Sequence, residues 1–309
     1  MSAAVQPMPS PFSPSPSQIA VAYSVCRSIT RSAAKNFYYA FLVLPAPKRQ
    51  ALCAVYAFMR RCDDISDDGT VPPYERRRKL EEWLDAFHNS QSGRPTDDPV
   101  LLALTDTQRR YHIPVELLDQ LAYGTGMDIQ ETQGTTEGPQ VLYRTFGDLR
   151  VYCYRVASVV GLVCIRIFGY RDAAAEPLAE NLGLAFQLTN IIRDIKEDAG
   201  MGRIYIPADD MVSFKVAVDD FLKPSIPERL QWLLAAEGDR ARESYASARD
   251  LIKLIDEDSR PALWVLVSIY ARLLEKIAER KYDVFGKKIS LSVREKVFIL
   301  GKGLLKRLA

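Results

Sequence analysis

Carboxylates recur at helical spacing in two distant places in this chain, and no other feature restricts its fold as much. The first cluster is Asp63-Asp64-Ile65-Ser66-Asp67-Asp68, and the second runs Asn190-Ile191-Ile192-Arg193-Asp194-Ile195-Lys196-Glu197-Asp198. Side chains four residues apart share a helix face, which pairs Asp63 with Asp67 and Asp194 with Asp198. Leu52, Tyr56, Met59 and Asp63 also fall on one face, so Asp63 continues an apolar stripe and is expected to point inward, where a carboxylate needs a partner. In the second segment Gln187, Asn190, Asp194 and Asp198 lie within about 80° of one another on a helical wheel. Leu188, Ile191 and Ile195 flank them on one side, Leu182 and Phe186 on the other.

A narrow polar stripe between apolar flanks suits a helix that lines a polar cavity. The plainer alternatives are a solvent-facing stripe for the second cluster and a frayed acidic helix end for the first. Negative charge opposes the macrodipole at a helix C-terminus, so four aspartates in six residues call for compensating cations. An oxygen-only donor set suits Mg²⁺, with Mn²⁺ as the alternative, and Mg²⁺ usually completes its shell with water and substrate phosphate. Two such helices face to face would cage a diphosphate. Arg60 and Arg61 beside the first cluster, and Arg193, Lys196 and Arg203 beside the second, could meet phosphate oxygens or merely pair with the acids.

The rest of the chain narrows the class. With 309 residues, 48% of them hydrophobic, it can build one large domain or two modest ones. A net charge of +2 argues against a nucleic-acid partner held by bulk charge. Five cysteines without a CxxC pair and only two histidines argue against zinc and fit reduced thiols, hence a cytoplasmic protein. The apolar run from Val156 to Gly169 is short for a membrane span and is interrupted by Arg166. No basic segment followed by an apolar stretch marks a signal peptide.

Residues 1–18, rich in Pro and Ser, read as a disordered tail, and 19–309 as one all-α catalytic domain. Helical periodicity covers 19–43, 48–68, 74–90, 97–110, 114–128, 145–169, 172–198, 227–254, 260–282 and 291–308, with Pro- or Gly-rich stops between. Residues 124–139 read as the longest loop. The last helix, with Lys296, Lys302, Lys306 and Arg307, is basic and amphipathic. Peripheral contact with an anionic membrane and a solvated packing helix are its two readings.

Several separated stretches resemble the squalene/phytoene synthase family. They are NFYYAFLVLP (36–45), YAFMRRCDDISDD (56–68), YCYRVASVVG (152–161), FQLTNIIRDIKEDAGMGRIYIP (186–207) and YDVFGKKISLS (282–292). The resemblance implies an isoprenoid-synthase helical bundle with a central active-site cavity. Carried onto this chain, it implies metal ligands at Asp63, Asp67, Asn190, Asp194 and Asp198, and diphosphate contacts at Arg60, Arg203 and Tyr205. Tyr56 and Tyr152 match cavity tyrosines and Gln187 a polar cavity residue. Lys287 stands where the family usually has a phosphate-touching arginine, and Ala33 and Ala34 where some members carry polar residues.

The chemistry implied is head-to-head condensation of two prenyl diphosphates. A water-free wall would come from Phe37, Phe41, Val156, Ala157, Val160, Leu184 and Phe186, with Tyr56 and Tyr152 facing the carbocation. Gly161 and Gly183 serve either room for a prenyl chain or close helix packing. The run at 152–169 looks most like bacterial presqualene diphosphate synthases acting on farnesyl diphosphate. Phytoene synthase, acting on geranylgeranyl diphosphate, is the alternative, and an inactive scaffold or a terpene cyclase is more remote. NADPH would enter only if the reaction runs on to squalene. A monomer or weak homodimer is expected.

Overall fold

The computed structural model describes residues 14–34, 37–127, 129 and 138–308, and these form an almost wholly helical bundle. In chain order the helices are α1 (Pro16–Ala33), α2 (Phe37–Phe41), α3 (Ala46–Ser66), α4 (Pro73–Gln91), α5 (Pro99–Arg110), α6 (Val115–Gly126), α7 (Phe146–Cys153), α8 (Val159–Phe168), α9 (Ala175–Gly200), α10 (Ala208–Ser213), α11 (Glu228–Ser247), α12 (Leu251–Leu254), α13 (Arg260–Glu279) and α14 (Val293–Leu308). One π-turn, Tyr154–Ser158, joins α7 to α8 without a break. A two-residue parallel pairing, β1 (Gln140–Val141) with β2 (Arg203–Ile204), is the only sheet among the described residues.

Local chemistry sets most boundaries. Ser15 and Gln18 form a capping box that starts α1 at Pro16, so residues 16–18 belong to the helix rather than to a tail; residues 1–13 lie outside the described chain. Asp98 accepts from the amides of Val100 and Leu101 to start α5, and Thr145 with Asp148 caps α7. The periodicity over 19–43 is shared by α1, which ends at Ala33, and α2, which starts at Phe37, and that over 227–254 by α11, which ends at Ser247, and α12, which starts at Leu251. The helix predicted over 260–282 stops at Glu279, with Lys281 and Tyr282 in left-handed backbone (φ 52° and 58°). Gly124–Gly126 continue α6, and residues 128 and 130–137 of the expected loop lie outside the description.

α3 is the central post: Ala51, Leu52, Cys53, Ala54, Ala57, Phe58 and Cys62 are all buried. α9 packs on α11, α8 and the π-turn, and α13 carries α14 on its outer side. Phe146–Phe168, taken as one unbroken helix, is long and apolar enough to cross a membrane. Half of its apolar window is buried in the bundle, with Leu149, Val163, Ile165 and Ile167 in the interior.

The π-turn matters for this packing. It pushes its backbone outward, and only glycines admit it. A Cβ at Gly183 of α9 would lie 2.5 Å from Ser158 Cα, and one at Gly124 of α6 would lie 2.7 Å from the Arg155 carbonyl oxygen. At Gly161 the added atom would meet the Ala179 carbonyl at 2.9 Å. Close backbone approach is thus what Gly161 and Gly183 provide.

Candidate active site

Between α2, α3, the π-turn, α8, α9 and α13 lies an apolar cavity of about 450 Å³. Its inner wall includes Phe37, Phe41, Val156, Ala157, Val160, Gly161 and Phe186, as expected, and Ala33 and Ala34 also face it. Leu184 is absent from that lining and is buried in the core instead. The far end is closed by Phe168, Leu251 and Leu263. That end is fastened: Lys48 Nζ donates to the Phe168 carbonyl (2.7 Å) and to Asp258 (2.6 Å), and the Ser259 hydroxyl also donates to the Phe168 carbonyl (3.0 Å).

The near end opens into a polar mouth of about 600 Å³ lined by Asp67, Arg76, Tyr152, Gln187, Asn190, Asp194, Glu197, Asp198, Arg203 and Tyr205. Gln187 and Asn190 line both spaces, and Asp63, Tyr56 and Arg193 stand on the cavity side. The two carboxylate clusters therefore meet here, each at the C-terminal end of its helix, α3 or α9. Both helix dipoles present their negative ends to the mouth, which doubles the demand for cations.

Four cations answer it. Arg193 Nε donates to Asp194 Oδ1 at 2.8 Å, Lys288 Nζ reaches the same oxygen at 3.0 Å, and Arg203 lies in the mouth wall. Arg76, from the first turn of α4, donates Nη1 to the Ser66 carbonyl at 2.7 Å, at the last residue of α3. Its Nε is buried and has no acceptor. Burial works to raise the Asp194 carboxyl, but the hydrogen bonds from Arg193 and Lys288 outweigh it and hold the group below the usual carboxylate range.

Two expected phosphate contacts are engaged otherwise. Arg60 turns outward and pairs with Asp64 at 2.6 Å, because one helix turn separates them on the solvent side of α3. Lys287 is exposed, and the mouth contact is made by its neighbour Lys288. Lys196 donates to the Phe285 carbonyl and lies over that ring, which fixes the segment carrying Lys288. Spacing gave no signal for Arg76 or for choosing Lys288 over Lys287.

Aromatic rings frame the junction of mouth and cavity. Tyr152 stacks on Tyr205 (centroids 5.1 Å apart) and lies 5.4 Å from Tyr143. The β1–β2 pairing makes this possible, since it brings the chain around Tyr143 alongside the chain carrying Arg203 and Tyr205. Deeper in, Tyr270 of α13 stacks on Phe186 at 4.3 Å and approaches Phe37 at 5.8 Å. Burial pushes the Tyr270 hydroxyl up to about 12, so it stays neutral. Tyr270 escaped the sequence reading because its apolar surroundings read as ordinary core, and Tyr143 because it falls in a short connection without helical period.

The donor set suits a hard divalent cation. It consists of carboxylate and amide oxygens, and Asn190 Oδ1 is buried without any partner. Among the described residues no three Asp, Glu, His or Cys side chains already converge on one point. The clusters face each other across an open mouth, which leaves coordination positions for phosphate and water.

The family model described as squalene/phytoene synthase matches residues 30–295, and the chain belongs to that family of head-to-head prenyltransferases. The phytoene synthase of Mycobacterium tuberculosis is 38% identical over 291 residues, covering 93% of this chain and 92% of its own. The 15-cis-phytoene synthase of Synechococcus elongatus is 33% identical over 299 residues, covering 92% and 93%. Among solved structures, a dehydrosqualene synthase bound to a ligand superposes with a TM-score of 0.82 at 31% identity, covering 93% of this chain and 96% of that one. A squalene synthase, HpnC, from Alicyclobacillus acidocaldarius gives 0.77 at 28% identity, covering 87% and 97%.

Proposed function

We propose that this enzyme condenses two farnesyl diphosphates head to head into presqualene diphosphate, releasing one diphosphate. The observation that carries the chain length is the depth of the apolar cavity. Its lining runs from Asp63 back to Leu52 on α3, about 16 Å of helix, and from Arg193 back to Ala179 on α9, about 21 Å. At roughly 1.25 Å per bond, an extended farnesyl chain spans about 14 Å and a geranylgeranyl chain about 19 Å. The first is shorter than both stretches, whereas the second exceeds the one on α3.

Asp63, Asp67, Asn190, Asp194 and Asp198 would hold Mg²⁺, with Mn²⁺ as a substitute. When bound, the metal supplies charge neutralisation to the departing diphosphate. Arg76, Arg203 and Lys288 would bind the same phosphate oxygens through charge-assisted hydrogen bonds. The C1–O bond of one substrate breaks and leaves an allylic cation. The C2–C3 double bond of the second substrate attacks it, and loss of a proton closes the cyclopropane. The faces of Tyr56, Tyr270 and Phe186 would stabilise positive charge in a medium that Phe37, Val156 and Val160 keep dry. Onward reduction to squalene would require NADPH, which must then enter through the mouth.

The relatives that bear the name phytoene synthase, at up to 38% identity, favour a second reading, two geranylgeranyl diphosphates to phytoene. Mass-spectrometric product analysis separates the two. Purified protein with Mg²⁺ and farnesyl diphosphate should yield presqualene diphosphate; phytoene from geranylgeranyl diphosphate, with no product from farnesyl diphosphate, would install the second reading. Absence of product from either would sink both.

A further inference from the structure

Of the thirteen large apolar side chains that stand exposed in the described residues, five belong to α14: Val293, Val297, Phe298, Leu304 and Leu305. At about 100° per residue they fall within an arc of about 140° on the helix. Phe298 is 62% and Leu305 67% exposed. The opposite side is the packed one. Ile299 is buried, Gly303 seats against Val265 of α13, and Glu295 turns back to Lys276. The exposed arc carries only positive charge, Arg294 within it and Lys302 at its edge, the latter lying over the Phe298 ring at 4.4 Å. Lys306 and Arg307 lie outside the described side chains.

We propose that α14 docks the enzyme on an anionic lipid bilayer, burying these five apolar side chains at the headgroup boundary while Arg294 and Lys302 meet the anionic headgroups. An exposed apolar face of this extent marks a binding surface. A two-fold dimer through it would set Arg294 and Lys302 against their own copies with no acid on the face to pair them. The position also serves the site. α13, against which α14 lies, presents Leu263, Leu266 and Tyr270 to the cavity on its other side. α2, which α14 also touches, presents Phe37 and Phe41. A single helix layer thus separates the docked face from the space for prenyl chains. The motive rests on the prenyl diphosphate reading, but the binding itself needs no turnover.

The test is flotation of the full-length protein with vesicles of phosphatidylcholine alone or mixed with phosphatidylglycerol, without substrate. Wild type should float with the anionic vesicles and lose binding in high salt. The double substitution Phe298→Ser/Leu305→Ser should weaken binding by about tenfold or more. Arg294→Gln/Lys302→Gln should remove the preference for phosphatidylglycerol. Circular dichroism and turnover with detergent-dispersed substrate should be unchanged in both. Equal flotation of wild type and both variants would overturn the proposal. So would a wild type that never floats but sediments as a dimer, with Phe298→Ser/Leu305→Ser monomeric.

Discussion

Lys288 Nζ lies 3.0 Å from Oδ1 of Asp194, and its other contact is Glu197. A half-exposed cation therefore sits on one of the carboxylates expected to serve the diphosphate, while the adjacent Lys287 is exposed to solvent. Lys288→Met should raise KM for the prenyl diphosphate or lower kcat/KM by about 10- to 100-fold, the worth of one charge-assisted hydrogen bond. Lys287→Met should stay near wild type. Steady-state kinetics on the pair checks this, and an equal loss in both would assign the contact to neither position.

Asp63→Ala removes a carboxylate from the cavity side of the junction and Asp194→Ala one from the mouth. Product formation should fall below about one-hundredth in each, because charge stabilisation of a leaving group is the largest single contribution at such a site. The helical circular dichroism should remain. Retained turnover in both variants would refute the two-cluster mechanism. Arg76→Leu should also weaken turnover, since it strips the mouth of a charge and frees the end of α3; guanidinium added in solution should restore part of it.

Gly183→Ala tests the packing around the π-turn. Its methyl would lie 2.5 Å from Ser158 Cα, backbone that cannot swing aside. Overpacking of this kind costs about 1–3 kcal/mol, so thermal unfolding should shift down by several degrees. Gly200→Ala, at the end of α9, meets nothing within 4 Å and should leave the melting temperature equal or higher. Indistinguishable melting curves for the two would argue against the tight seam between α9 and the π-turn.

Glu237 of α11 is 1% exposed, and burial pushes its carboxyl from 4.5 up to about 7. Arg240, itself paired with Asp210, draws it part of the way back. A raised folded-state value means the protonated form is the one the fold prefers. Its contribution is whole below about pH 4.5 and is lost as pH rises through about 7, on the order of 3 kcal/mol in all. Glu237→Gln keeps the acceptor for Arg240 and cannot ionise. The variant should match wild type near pH 5 and melt higher at pH 8; identical pH profiles by scanning calorimetry would contradict the assignment.

The helices were legible from periodicity, since apolar residues at three- and four-residue spacing reflect helix geometry directly. So was the inward placement of Asp63 and Asp194, because an acid that continues or borders an apolar stripe must face the same interior as its apolar neighbours. The two-residue β1–β2 pairing was not, since two residues show no alternation to read. Nor was the π-turn, whose widened backbone is recorded only in what Gly124 and Gly183 of other helices must make room for.

The sequence by itself determined the helix content, the oxygen-donor chemistry of residues 63–67 and 190–198, and the family. It also offered Arg193 and Arg203 as cations, but tertiary structure alone decided that Arg76 and Lys288 join them. Arg60 and Lys287 are nearest in sequence or pattern, but side chains reach what lies across space. The bundle turns Arg60 to solvent and brings Arg76 and Lys288, from helix α4 and a distant loop, to the ends of α3 and α9. Contacts between segments far apart in the chain depend on how whole helices dock, and no local spacing encodes that.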